Sequence, residues 1–143
     1  MKIGFGCDHA GYKLKELLKD EVLKMGNTIE DFGTYSSEST DYPDYAHALA
    51  SSVEKKEVKL GIAICGSGNG ISMTLNKHQD IRAALCWTTE LAELARLHND
   101  ANVLSLPARF ISREQAITIV KVFIKAKFEG GRHQRRVDKI ARS

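Results

Sequence analysis

Leu60-Gly61-Ile62-Ala63-Ile64-Cys65, running on into Gly66-Ser67-Gly68-Asn69-Gly70, decides the fold of this chain. Six consecutive residues without a charge predict a strand covered on both faces, as in the middle of a parallel sheet. Three glycines in the next five predict a tight turn into a helix at about residues 71–77. Such a turn lets the backbone approach a ligand closely and leaves amide N–H groups free for an anion.

Outward from this unit, apolar runs alternate with amphipathic stretches, without a linker, repeat or low-complexity segment. Lys2 to Gly6 predicts a strand. From Ala10 to Met25, Leu14, Leu17, Leu18 and Val22 recur at helical spacing with lysines on the other face, and Gly26 follows as a C-terminal cap. Thr28 to Phe32 predicts a second strand. Pro43 suits the first turn of a helix continued by Tyr45, Ala48, Leu49 and Ser52. Further on, Arg82–Trp87 and Asn102–Leu106 read as strands. Thr88 caps a helix through Leu91, Leu94 and Ala95 to His98, Ser112 caps another, and His133–Ala141 forms a basic terminal helix.

This alternation predicts an α/β fold: one three-layer, Rossmann-like or flavodoxin-like domain over 1–143, with a five-stranded parallel sheet and helices on both faces. The flavodoxin-like strand order 2-1-3-4-5 is the expectation, with a ligand crevice outside the carboxyl ends of strands 1 and 3. The loops meeting there are Cys7-Asp8-His9 and Cys65 to Gly70.

Composition agrees with one globular domain: 43% hydrophobic, 27% charged, 2 Pro and 11 Gly in 143 residues. No apolar run approaches the roughly 18 residues of a membrane span, and the N-terminus lacks the apolar centre of a signal peptide. Three scattered cysteines, Cys7, Cys65 and Cys86, exclude a Cys-x-x-Cys metal or redox pair and suit a reducing, cytosolic setting. The net charge of +3 is uneven. Seven basic residues against Glu129 and Asp138 make residues 125–143 +5, leaving −2 elsewhere, so the tail can serve a small anion as well as nucleic acid.

Several mechanisms fail on spacing. The glycine segment reads G-x-G-x-G rather than G-x-G-x-x-G, no Gly-Lys-Ser/Thr follows, and neither Cys65 nor Cys7 has an arginine at the Cys-x5-Arg position. A phosphoacceptor aspartate is absent where strand 3 ends in Cys65. A thiol there, beside free amides and a helix start, has its thiolate favoured and is the candidate base or nucleophile. Cys7 and Cys86 read as structural. Asp8 and His9 face the same crevice by position, and His98-Asn99 ends a helix.

Five ordered blocks carry a resemblance that runs nearly end to end: Gly6-Cys7-Asp8-His9-Ala10-Gly11; Thr40-Asp41-Tyr42-Pro43; Cys65 to Ser72 with Asn76-Lys77; Arg96-Leu97-His98-Asn99-Asp100-Ala101-Asn102-Val103; and Glu129-Gly130-Gly131-Arg132-His133-Gln134-Arg135-Arg136-Val137. With them the chain resembles the type B ribose-5-phosphate isomerases of the pentose phosphate pathway and the related galactose-6-phosphate isomerase subunits.

The resemblance implies an aldose–ketose isomerase working through an enediolate, with Cys65 as base. It implies that Gly66, Ser67, Gly68, Asn69 and Gly70 stabilise the oxyanion, and that His98 assists ring opening. Asp8 or Ser67 would then handle hydroxyl protons. His9, Arg132 and Arg136, with Arg109 nearby, would hold the phosphate, and Tyr42 and Asn99 would contact sugar hydroxyls. A homodimer is implied, possibly a dimer of dimers, with each site between subunits. No metal or organic cofactor and no nucleic-acid partner are implied. Where some members carry a glutamate base after the glycine loop, this chain has Ile71, which cannot accept a proton. A galactose 6-phosphate or allose 6-phosphate isomerase and a non-catalytic sugar-phosphate binding domain are the alternatives.

Overall fold

The computed structural model describes residues 1–142. In chain order it runs β1 (Lys2–Cys7), a 3-10 turn (His9–Gly11), α1 (Tyr12–Lys24), β2 (Thr28–Asp31), α2 (Tyr42–Glu54), β3 (Leu60–Cys65), α3 (Asn69–Leu75), β4 (Ala83–Leu85), α4 (Thr89–Leu97), β5 (Val103–Pro107), α5 (Arg113–Lys125) and α6 (Arg132–Asp138). All five strands are parallel. No helix is long and apolar enough to cross a membrane among the described residues.

The order across the sheet is β2-β1-β3-β5-β4, not the expected 2-1-3-4-5. Burial explains the exchange. Every residue of Val103–Pro107 is buried, whereas Ala83–Leu85 is short and half-exposed. The strand able to be covered on both faces takes the inner position, and the weaker one takes the edge. The part that places a ligand crevice is unchanged, because β1 and β3 remain neighbours whose following helices leave toward opposite faces.

Side chains alternate across the sheet, as strand geometry requires. Ile62, Ile64, Leu104 and Leu106 join Leu14, Leu18 and Val22 of α1, Ala92 and Ala95 of α4, and Phe123 of α5 in one core layer. Ala63 and Cys65 face the other way, into the layer of Ala46, Leu49 and Ala50 from α2 and Ile71 and Leu75 from α3. Gly4 and Gly61 are register partners, and Leu49 fills the hollow between them. A Cβ on Gly4 would meet Leu49 Cδ1 at 2.7 Å. This close approach seats α2 so that its first turn overhangs the crevice.

Thr88 and Ser112 cap α4 and α5 as expected, Ser112 in a reciprocal capping box with Gln115. Helical faces differ at single positions: Leu94 is 36% exposed, and Ala92 and Ala95 make the buried stripe of α4. Ala48 is likewise exposed, and Ala46 and Ala50 flank Leu49 in the core.

Lys15 departs from the expectation of lysines on the solvent face. It is fully buried. Its ammonium donates to Asp31 Oδ1 at 2.6 Å and to the Thr34 carbonyl, and the rings of Tyr12 and Tyr35 lie 5.7 and 5.1 Å from it. Burial alone would raise the Asp31 carboxyl; hydrogen bonds from Lys15, Lys19 and the Gly33 N–H outweigh it and hold the group below its ordinary value.

The β4 edge is closed by side-chain amides. Asn76 donates to the Ala83 carbonyl at 3.0 Å and accepts from the Ala83 N–H at 2.8 Å. On the inner side, Asn102 before β5 donates to the Asp80 carbonyl at 2.7 Å and accepts from the Arg82 N–H at 2.8 Å, which fixes the approach to β4.

Candidate functional site

Cys65 ends β3 and is 4% exposed, its neighbours being core side chains on one side and the glycine turn on the other. The turn tightens sooner than the sequence suggests: Gly68, at φ 77°, is the N-cap, and α3 begins at Asn69 instead of Ile71. Only glycine tolerates this left-handed φ without strain. Of the turn amides, Asn69 donates to Ser67 Oγ at 3.2 Å. Those of Ser67, Gly68 and Gly70 donate to no acceptor among the described residues. They are the free donors expected of an anion-binding loop.

Two side chains lie on this loop where glycine leaves room. The Arg109 guanidinium rests against Gly66, 3.0 Å from where a Cβ would stand, while the Arg109 N–H donates to the Gly66 carbonyl at 3.0 Å. The Tyr42 ring covers Gly70, within 2.4–2.7 Å of such a Cβ. Tyr42 reaches that position because Leu49 anchors α2 over the sheet.

Asp8, after β1, is the N-cap of the 3-10 turn. Its Oδ1 accepts from the N–H groups of Ala10 and Gly11 at 3.0 and 3.3 Å. Oδ2 makes no hydrogen bond among the described residues, so one oxygen fixes the side chain and the other is available to a ligand. Gly11 packs the turn directly on β3, a Cβ there standing 2.7 Å from the Ile64 carbonyl. His9 Nδ1 accepts from the Thr40 N–H at 3.2 Å, which ties the next loop to the crevice. A cavity of about 630 Å³ opens along Asp8, His9, Thr40 and Tyr42. Cys7 and Cys86 stand apart: both are buried, and burial pushes their thiols up to about 12.

The remaining expected residues form a second group at the opposite end of the sheet. Val103 faces Gly61, and Pro107 faces Cys65, four residues further along β5. That separation is about 13 Å at strand rise. His98 is the C-cap of α4, which runs back toward the amino ends of the strands. It is therefore more than about 13 Å from Cys65 of its own chain. The Glu129 N–H donates to the Leu97 carbonyl at 3.0 Å, docking the tail beside it. Gly130 and Gly131, at φ 68° and 56°, then turn the chain so that His133 stacks on His98, with centroids 4.2 Å apart and planes 12° apart. Arg132 and Arg136 of α6 are exposed and in no ion pair among the described residues. Asn99 lines a cavity beside β4 and Ile140.

Glu129 Oε1 lies 3.2 Å from His98 Nε2 and 3.9 Å from His133 Nε2. Partial burial, with the His98 ring and the Arg132 and Arg136 guanidiniums, lowers the His133 pKa, and Glu129 opposes this. These three residues are the one group among those described whose ligand-type atoms all fall within 4.8 Å of one another. The parallel rings aim their in-plane lone pairs side by side, not at a common point, so the arrangement suits an ion-pair cluster better than a tetrahedral metal centre. Sequence reasoning overlooked Glu129 and His133. Their spacing of four about a double glycine was the available signal.

One chain thus carries two separate groups: Asp8, His9, Tyr42, Cys65, Gly66–Gly70 and Arg109 at the carboxyl edge, and His98, Asn99, Arg132 and Arg136 at the amino edge. A profile of the family described as Ribose/Galactose Isomerase matches residues 3–140. The ribose-5-phosphate isomerase B of Escherichia coli (strain K12) is 48% identical over 139 residues, or 97% of this chain and 93% of that protein. The structure of a ribose 5-phosphate isomerase from Thermotoga maritima, 48% identical, superposes with a TM-score of 0.96 over 98% of this chain and 97% of its own. A Mycoplasma genitalium ribose-5-phosphate isomerase B, solved with bound ribulose-5-phosphate, gives 43% identity and a TM-score of 0.93 over 97% and 93%. With identity and fold shared across almost the whole length, the chain belongs to the ribose/galactose isomerase family and is an isomerase.

Proposed function

We propose that this enzyme interconverts ribose 5-phosphate and ribulose 5-phosphate through an enediolate, and that each site combines the two groups from two copies of the chain. The observation that carries this reading is Cys65, a single thiol bordered by undonated amides and Arg109. The cognate names and the bound ribulose-5-phosphate of the relatives support the substrate class.

The Cys65 thiolate takes the proton from C2 of the open aldose. Electrons move into C1–C2, and negative charge develops on O1. The amides of Ser67, Gly68 and Gly70 meet that charge as fixed dipoles, each such donor being worth about 3–4 kcal/mol in the transition state. The thiol then returns the proton to C1, while the O2 proton passes to O1 by way of Asp8 or Ser67, and the thiolate is regenerated. The ketose results with atoms and charge balanced, and no cofactor takes part. Tyr42 and Asn99 contact hydroxyls. His9 and Arg109 of one copy, with Arg132 and Arg136 of the other, hold the phosphate, for which the guanidinium fork is well matched. His98 of the second copy supplies the proton for ring opening.

The test is steady-state turnover of the purified chain on ribose 5-phosphate, allose 6-phosphate and galactose 6-phosphate, each repeated with Cys65→Ala. Highest kcat/KM on ribose 5-phosphate, with loss of at least about 10²-fold in the variant, is expected. Undiminished kcat in Cys65→Ala overturns the base assignment, and preference for a hexose phosphate overturns the substrate.

A further inference from the structure

We infer that Glu129 is a positioning residue for ring opening, acting through His98. The inference rests on the proposed function and goes beyond it by assigning a role to a carboxylate that never touches the sugar. Three observations carry it.

First, Glu129 is held from its backbone. Its N–H donates to the Leu97 carbonyl, the residue before His98, so the carboxylate and the imidazole share one anchor. Second, Glu129 Oε1 lies 3.2 Å from His98 Nε2, while His98 Nδ1 has no partner among the described residues. An anion fixed at one ring nitrogen stabilises the imidazolium and orients it. Third, the same oxygen lies 3.9 Å from His133 Nε2, and His133 stacks against His98, which prevents the ring from swinging away. The charged side chains around His133 are Glu129, Arg132 and Arg136, and His98 shares Glu129 with it. Glu129 is the one anion among them and, among the described residues, the one hydrogen-bond acceptor within reach of His98 Nε2.

In the step this serves, the imidazolium gives its Nδ1 proton to the ring oxygen O4 as the C1–O4 bond breaks. The anomeric O1–H proton leaves to Asp8, and C1=O1 forms. His98 ends neutral with Nε2–H still facing Glu129. Only the cyclic aldose needs this step. Ribulose 5-phosphate, whose O5 is phosphorylated, has no furanose to open and enters proton exchange directly.

The experiment compares two rates for the intact enzyme and for Glu129→Ala, His98→Ala, the double variant and Cys65→Ala: isomerisation of ribose 5-phosphate, and deuterium exchange into C1 of ribulose 5-phosphate in D2O, followed by NMR. Glu129→Ala is expected to slow isomerisation about ten-fold or more, with exchange changed less than about three-fold. The double variant is expected to be no slower than His98→Ala, because Glu129 acts only through that ring. Equal loss of both rates, no loss of either, or additive losses in the double variant overturns the inference. Failure of the proposed function is read separately, as exchange that survives Cys65→Ala.

Discussion

Separation of the two residue groups makes a quantitative prediction about mixed assemblies. Cys65 lies at the carboxyl end of β3, and His98 lies beyond the amino end of β5. Four register steps of about 3.3 Å put at least about 13 Å between those levels, whereas proton transfer requires hydrogen-bond reach of about 3 Å. A chain with Cys65→Ala keeps an intact second group, and one with His98→Ala and Arg136→Ala keeps an intact first group. Each variant alone should lose about 10²-fold or more, from the missing base or from the missing acid and phosphate contact. If two copies pair by a two-fold axis, random mixing by unfolding and refolding gives pairs in a 1:2:1 ratio. Half are mixed, each with one complete site of two, so activity should return to about one quarter of the wild-type value. Pairs isolated through two different affinity tags should show about one half. The assay is initial velocity on ribose 5-phosphate at fixed total chain. Recovery below about one twentieth, with mixed pairs present by mass spectrometry, would refute the shared-site geometry.

Three further outcomes are expected. Lys15→Met removes one donor from Asp31, which keeps Lys19 and the Gly33 N–H, and leaves the Thr34 carbonyl without its ammonium, so it should cost about 1.5–3 kcal/mol by urea unfolding; because the folded Asp31 pKa is depressed, the wild type should keep this contribution above about pH 4 and lose it as pH falls through the lower folded value, and a variant within 1 kcal/mol of wild type would contradict the pairing. Gly68→Ala places a Cβ 2.4 Å from Leu85 Cδ1 at φ 77°, which should cost about 1–2 kcal/mol and lower kcat by moving the turn amides, with unchanged stability and kcat as the opposing result. Cys7 and Cys86, with thiols pushed up to about 12, should be about 10⁻⁴ ionised at pH 8, so native alkylation followed by mass spectrometry should spare both, and fast labelling of either would show that the core opens.

Much of the architecture was legible because it is decided locally. Leu60–Cys65 is a strand by its own apolar run, and Thr88 and Ser112 cap helices with their own hydroxyls. Strand order was not, since it turns on whether β4 or β5 is better buried, a comparison between segments distant in sequence. Lys15 was misplaced for the same reason: helical spacing marks a face, and only Asp31 on β2 and the Thr34 carbonyl make that face habitable for an ammonium. At the site, Asp8 and Cys65 are brought to one crevice by the carboxyl ends of β1 and β3, which pattern can foresee; Tyr42 and Arg109 followed only from the resemblance, and Arg109 reaches Gly66 because β5 rather than β4 borders β3. The stack of His133 on His98 needed the two positive-φ glycines at 130 and 131, whose turn geometry is fixed by docking of Glu129 on Leu97.

Asn76 sits among the residues of the family-like glycine block yet touches no chemistry. By occupying both backbone groups of Ala83, its carboxamide stands where a sixth strand would pair and shortens the hydrogen-bonding row that β4 offers. At the other border, β2 is only four residues long, and a short edge strand is a poor template for a stacking neighbour. Both borders of the sheet are thus short rows, which disfavours edge-to-edge growth between copies. Association is directed instead to surfaces where it can be finite. The same carboxamide that orders the turn before β4 thereby removes part of the template on which sheet-to-sheet association would grow.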